Sequence, residues 1–317
     1  MKDKQNRIVI LYDDIFLKHD MGVHPECADR LRHLIPAIRS SPVNEYIDWL
    51  KPVPAYEDEI ALIHSREMID YIRQTTGEGG GWLDPETYVS PESLPAALTA
   101  GGAGKVALGL VFELDYRFVF IPCRPPGHHA TSSRSMGFCL FNNVALCARI
   151  ALEYEFAKKI AIIDWDVHHG NGTEEIFYTS DQVLFMSVHQ HPFFPGTGFV
   201  EDIGMDKGRG FTINRPLPAG AGNEEYIRIF KEKFAPALEE FRPDLFIISA
   251  GFDSHKHDPT ANHYLDAQGF RSLAAIVKEM AEKSPADGRI IAFLEGGYHA
   301  SMLSESVIEM LKVFVDM

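Results

Sequence analysis

Residues 162–172 read IIDWDVHHGNG. An apolar run leads straight into two aspartates, two histidines and a Gly-Asn-Gly turn. Carboxylates and imidazoles cost free energy to bury unless they are paired or hold a cation. A strand that ends on them is therefore either solvated loop or a site, and the rest of the chain decides between the two.

Working outward, apolar runs of strand length recur: RIVILY (7–12), FVFI (118–121), IAIIDW (160–165), VLFMSV (183–188), LFIISA (245–250) and IIAFL (290–294). Stretches with helical periodicity lie between them, at 95–114, 142–157, 224–241 and 269–283. Strands apolar throughout and separated by amphipathic helices predict an α/β fold with a central parallel sheet covered by helices on both faces. No internal repeat or linker divides the chain, so one domain over residues 1–317 is expected, within the range for α/β folds. FVFI runs into PCRPPGHH, IAII into DWDVHHGNG, VLFMSV into HQH, LFIISA into GFDSHKHD, and IIAFL into EGGYH. Open parallel sheets bind ligands at the carboxyl ends of their strands. Solvated decoration has no reason to choose one end five times, so these ends are read as a site.

Composition narrows the function. A hydrophobic content of 45% suits a globular core, and a net charge of −15 leaves no basic stripe for nucleic acid while suiting a cationic substrate. No apolar leader follows Met1 and no run approaches the ~18 apolar residues of a membrane span, so no membrane partner is expected and the chain reads as cytoplasmic. Cys27, Cys123, Cys139 and Cys147 form no CxxC pair and read as reduced thiols.

Asp166 and His168, two apart on extended chain, project to one side, and Asp253 at another strand end can complete a set of two carboxylates and one imidazole. Three such ligands with an open position describe a catalytic zinc site. His128 and His129 follow the stiff CRPPG turn and can act as base and acid, with Asp164 and Asn171 orienting one imidazole each. Tyr298, after Gly296-Gly297, can donate to a developing oxyanion. Surface Asp-x-His, adjacent surface histidines and a packed tyrosine are the bland readings of the same residues; the shared strand-end location outweighs them. AGGAGKV (100–106) mimics a phosphate loop, but it lacks Ser/Thr after Lys105 and follows helix rather than strand, so it reads as small-residue helix packing. His189, His191, His255, His257 and His299 crowd the same rim in sequence and read as solvent-exposed or supporting groups.

Taken together, HPECADRL, RPPGHHA, GFCLFNNVA, IIDWDVHHGNGT, FFPGTG, GFDSHKHDP and EGGYH, in that order, resemble the zinc-dependent histone deacetylase superfamily, which includes acetylpolyamine amidohydrolases. The resemblance implies the arginase-deacetylase α/β fold. It also implies zinc (or ferrous iron in the cell) on Asp166, His168 and Asp253, the His128–His129 pair with Asp164 and Asn171 behind it, and a carbonyl-polarising Tyr298. Phe138 and Phe194 match the walls of an acyl-lysine tunnel, and Gly137 the carbonyl along its length. Structural potassium is implied at Asp164, Asp166, His168, Ser187 and Val188, and at Phe177, Ser180, Val183 and Phe211. At the mouth, Thr260 stands where polyamine-selective relatives carry an acid, and Asp84 and Glu86 are alternative rim acids.

The expected function is removal of an acetyl or similar short acyl group from acyl-lysine or a related cationic amine. An acetylpolyamine substrate is the nearest alternative; a binuclear arginase-like ureohydrolase and a non-catalytic acyl-lysine reader are further ones. Homo-oligomerisation is left open. The absence of GxGxxG after the first strand disfavours a nucleotide-dependent oxidoreductase.

Overall fold

The five expected site-bearing runs form strands that lie side by side. A computed structural model describes residues 7–317; the basic start MKDKQN, read above as carrying no leader, lies outside them. β1 (Ile8–Leu11), β2 (Ile47–Leu50), β5 (Phe118–Ile121), β6 (Ile160–Asp164), β7 (Val183–Gln190), β8 (Thr212–Leu217), β9 (Leu245–Ala250) and β10 (Ile290–Leu294) build one parallel sheet in the order β2-β1-β5-β10-β9-β6-β7-β8. A short antiparallel pair, β3 (Gly81–Trp82) and β4 (Tyr88–Val89), stands apart from it.

Every residue of β5, β6, β7, β9 and β10 is buried, which requires cover on both faces. α4 (Ser93–Phe112) packs with α5 (Asn143–Glu153) and against β5 and β10, while α1 (Asp29–Ser40), α9 (Ala267–Lys283) and α10 (Ala300–Phe314) pack together as a second group. The remaining helices α2 (Glu57–Ile60), α3 (Arg66–Gly77), α6 (Asn171–Phe177), α7 (Asn223–Ile229) and α8 (Ala235–Phe241) fill in around them.

Three sequence expectations change in detail. The helix expected over 224–241 is α7, a π-turn at Phe230–Phe234, and α8. Pro236 near the start of α8 has no N–H to return to the preceding turn, which widens there. VLFMSV was expected to end at residue 188, yet β7 continues to Gln190 and takes His189 inside the sheet. Finally, α4 is 20 residues long and, by length and composition, apolar enough to cross a membrane, against the expectation that no run approaches that length. Two-thirds of its apolar window (67%) is buried within the fold, as befits a core helix. AGGAGKV lies inside it: a Cβ on Gly102 would overlap the backbone of Val53, and one on Gly104 would meet Cys147 Cβ at 2.8 Å.

Candidate active site

The loop after β6 organises the centre. Asp164, the last residue of β6, accepts Asp166 N at 3.1 Å and faces His128 Nδ1 at 3.0 Å. Asp166 Oδ1 accepts His168 N at 2.9 Å and stands 3.0 Å from His168 Nδ1; its Oδ2 accepts Gly296 N, beyond β10, at 2.8 Å. Asp253, beyond β9, accepts Val167 N at 2.9 Å on one oxygen and lies 3.2 Å from His168 Nδ1 with the other. Neighbouring strand ends are thus laced into one frame by carboxylates. Glycine is required where they meet, because a Cβ on Gly251 would overlap Asp166 Oδ2 and one on Gly296 would overlap Asp253 Oδ2.

Asp166, His168 and Asp253 each direct one donor atom to a common point, all within 4.8 Å of one another. Asp166 and Asp253 have no exposed surface. Burial, and then the negative charge of Asp166, push the Asp253 carboxyl up to about 7. Burial opposes protonation of His168, but its bonds to Asp166 and Asp253 outweigh that and push it up to about 10. Two buried carboxylates and one imidazole nitrogen form a group that could hold a cation. An O, O, N donor set without thiolate suits a divalent ion such as zinc or ferrous iron.

The histidine pair sits beside this centre, rings 3.9 Å apart, and the two rings have different partners. His129 Nδ1 is 2.8 Å from Asn171 Oδ1, whereas His128 meets the Asp164 carboxylate. Burial pulls His128 down, yet Asp164 and Asp166 outweigh it and raise it to about 10. His129 is held well below the ordinary imidazole value by burial and by the positive rings of His128 and His168. The two imidazoles are thus pushed in opposite directions, His128 toward the charged form and His129 toward the neutral one.

A cavity of about 290 Å³ opens onto the centre, lined by His129, His168, Gly137, Phe138, Phe193, Phe194, Tyr298, Glu86 and Thr260. Its aromatic walls are set by unusual backbone: Gly137 and Phe138 have φ +57 and +68, and a Cβ on Gly137 would lie 2.5 Å from the His129 ring. A phenylalanine in the left-handed region is strained, and the bond from Phe138 N to Thr87 Oγ1 at 3.1 Å helps to hold it. Phe193 stacks on His168 at 5.2 Å and Phe194 meets His129 edge-on at 5.1 Å. Tyr298 N donates to Asp258 Oδ2 at 2.6 Å. Burial keeps the Tyr298 phenol protonated, far above its ordinary value.

Of the two rim acids considered, only Glu86 lines the cavity; Asp84 turns one oxygen back onto Glu86 N and Thr87 N. Thr260 also lines it, but its hydroxyl donates to Asp258 Oδ1. Asp164 pairs with Ser187 across β6 and β7, with Val188 next in the strand. Phe177 closes α6 and its carbonyl accepts Ser180 N; the Phe211 carbonyl accepts Phe185 N, two residues beyond Val183. His257 and His299 are exposed, and His299 caps α10, accepting from Met302 N. His189 and His255, in contrast, are buried rather than rim groups.

Several residues of this neighbourhood were not singled out from sequence. Phe193 is one, although it adjoins Phe194 in FFPGTG. His24, whose ring meets Phe138 edge-on at 4.5 Å, is another. Glu26, Arg30, Arg124 and Glu295 form a wholly buried charged group behind Tyr298, and Arg30 lies 4.8 Å over its ring. All of them, Phe193 in FFPGTG included, fall inside quoted motifs, so their presence was visible and their contacts were not.

A family model described as "Histone deacetylase domain" matches residues 24–314. The chain is 39% identical over 292 residues to a probable deacetylase of Archaeoglobus fulgidus, covering 91% of this chain and 80% of that one. It is 36% identical over 314 residues to a histone deacetylase-like amidohydrolase of Pseudomonas aeruginosa, covering 92% and 82% respectively. Among solved structures, the HD domain of HDA15 superposes with a TM-score of 0.92 at 32% identity, covering 98% of this chain and 88% of that one.

Proposed function

The chain belongs to the histone deacetylase family, and from that membership we propose that it hydrolyses the amide of an acetylated lysine side chain, releasing acetate and the free amine. One observation carries the reading: the Asp166–His168–Asp253 donor set, the His pair and Tyr298 gather around a narrow cavity with aromatic walls. Such a cavity suits an extended aliphatic chain with a polar amide at its inner end.

Asp166, His168 and Asp253 would hold a divalent cation, zinc being our assignment, which supplies Lewis acidity to the amide carbonyl and to water. His129, neutral and oriented by Asn171, accepts the proton of the attacking water at Nε2. Tyr298 donates its O–H to the oxyanion that develops on the carbonyl oxygen. His128, charged beside Asp164, sets a positive potential over the same oxyanion. As the C–N bond breaks, His129 returns its proton to the leaving amine. Phe138 and Phe194 keep bulk water from the chain, and the Gly137 carbonyl accepts along it. We also assign potassium to the two sets about Ser187–Val188 and Phe177–Phe211, as structural ions.

A second reading, an acetylpolyamine substrate, is favoured by Glu86: its carboxylate at the mouth attracts a second ammonium. A binuclear ureohydrolase is disfavoured because both ring nitrogens of His169 are engaged, by Thr197 and Glu174. Acetate release from acetyl-lysine peptides, longer acyl-lysines, acetylspermidine and acetylputrescine tests these readings together. A higher kcat/KM for acetyl-lysine peptides is expected, and Thr260→Glu should move the ratio toward polyamines. Clear polyamine preference in the unmodified protein would give the substrate to the second reading, and no acetate from any of them would leave only acyl-lysine binding.

A further inference from the structure

Glu295 enters the site without touching the cavity. It follows β10, is fully buried, and stands three residues before Tyr298. Its Oε2 accepts two backbone amides from another strand end, Gly127 N at 2.7 Å and His128 N at 3.2 Å. These are the first amides of the turn that carries the His pair. Its backbone carbonyl accepts Arg30 at 2.5 Å, and Arg30 also donates to Gly297 O at 2.7 Å. Glu26 faces Arg30 at 3.2 Å and binds Arg124, the residue that opens the histidine turn. The other oxygen of Glu295 has no hydrogen-bond partner among the described residues.

We propose that Glu295 is the positioning residue that sets the His128–His129 turn in register with Tyr298, by fixing the two leading amides of that turn from the segment that carries the tyrosine. This rests on the deacetylase reading above. The geometry gives the reason. A proton acceptor and an oxyanion donor on two different loops must keep a fixed separation, and a misplacement of about 1 Å costs about 10²-fold in rate. The neighbours of the His turn on its other side are Asn142, whose amide reaches Ala130 O at 3.2 Å, and Asn143, which reaches Pro125 O at 3.2 Å. Those bonds tie the turn to α5, whereas the Glu295 carboxylate is what ties its leading amides to the tyrosine loop. Gly127 also has no room to shift, since a Cβ there would lie 2.5 Å from Asn143 N. Burial, opposed only in part by His128 and the Gly127 amide, raises the Glu295 carboxyl to about 7. Both amides converge on the single oxygen Oε2, so the position of that acceptor is the property the turn uses.

The test contrasts two conservative variants of the metal-loaded protein on an acetyl-lysine peptide. Glu295→Gln keeps the length and an acceptor oxygen while removing the charge. Glu295→Asp keeps the charge and withdraws the acceptor by one methylene. We expect E295Q to retain kcat within about threefold, and E295D to lose about 10- to 100-fold in kcat with KM nearly unchanged. Equal rates in E295D and the unmodified protein would overturn the proposal, as would an E295Q as slow as E295D. Should the unmodified protein cleave no acyl amine, the functional reading fails by itself. The positioning claim is then read in the ring signals of His129 by NMR with labelled histidine: E295D must move them and E295Q must not.

Discussion

Two cavities of about 290 Å³ open at opposite ends of this sheet, and only one has the makings of a site. The lower one is lined by Arg7, Arg117, Lys278, Glu282, Asp287 and Asp316, with Phe118 and Phe314 stacked beside them. Its charges are already matched: Arg117 pairs with Asp115 at 3.0 Å and Asp287 at 2.8 Å, and Lys278 with Asp316 at 2.5 Å. The acids of those pairs are largely exposed, so water and salt screen them. At the floor of the upper cavity, by contrast, Asp166 and Asp253 are buried and offer their oxygens, with one His168 nitrogen, within 4.8 Å of one another. Equal volume with opposite chemistry shows that convergence and burial make a site, and a hollow alone does not.

The strongest way to break that contrast is Asp253→Ala. Removing one anionic donor should abolish divalent-metal retention and acetate release, with the circular dichroism spectrum and cooperative melting preserved, because the residue lies beyond β9 rather than inside the sheet. Full metal occupancy with normal turnover would refute the ligand assignment. Next comes Glu26→Gln, which leaves Arg30 and Arg124 buried without their carboxylate and should destabilise the fold by roughly 3–5 kcal/mol in chemical denaturation. The same group fixes an acid limb. Burial opposes ionisation of Glu26, but Arg124 outweighs it and lowers the carboxyl from 4.5 to about 2. Its stabilisation is therefore complete above about pH 4.5 and disappears as pH falls toward 2, so the variant's stability should vary less over that window. A variant as stable as the parent at neutral pH would show that the buried cluster is not a structural tie.

Tyr298→Phe sharpens the comparison inside the upper cavity. The ring and its contact with Arg30 remain, and turnover should fall about 10²–10³-fold with KM little changed. An unaltered rate would remove the tyrosine from the chemistry. At the small end, Lys278→Ala in the lower cavity should shift stability by roughly 0.5 kcal/mol or less and leave kcat/KM unchanged. A large loss of activity there would mean that the two ends of the sheet are coupled.

Sequence patterning exposed the central strands because each opens on an apolar run of at least four residues, and it exposed the site because polar residues end or follow each run. It failed at the edges. In β2, IDWL buries one residue fully, and in β8, TINRPL carries Arg215 and Pro216, which an edge strand tolerates and a central one does not. Patterning alone paired neither histidine; the family resemblance put Asp164 behind the first of them, and in the structure Asp164 meets His128 and Asn171 meets His129. Glu26, Arg30, Arg124 and Glu295 were legible only as letters in motifs. Arg30 and Gly297 meet across 267 positions of chain, and no local pattern encodes that meeting.

The order of strands in the sheet has a consequence for how the protein is made. β10 and β9, the last strands of the chain, are inserted between β5 and β6, which are synthesised much earlier. Asp164, Asp166 and the histidine pair have therefore left the ribosome well before Asp253 and Tyr298 exist. Until that late insertion the nascent chain holds two unpaired strand edges where the centre of the sheet will be, a slow, non-local closure open to wrong pairings. Catalytic competence and completion of the fold thus arrive in the same event, which makes turnover itself a reporter of correct biosynthesis.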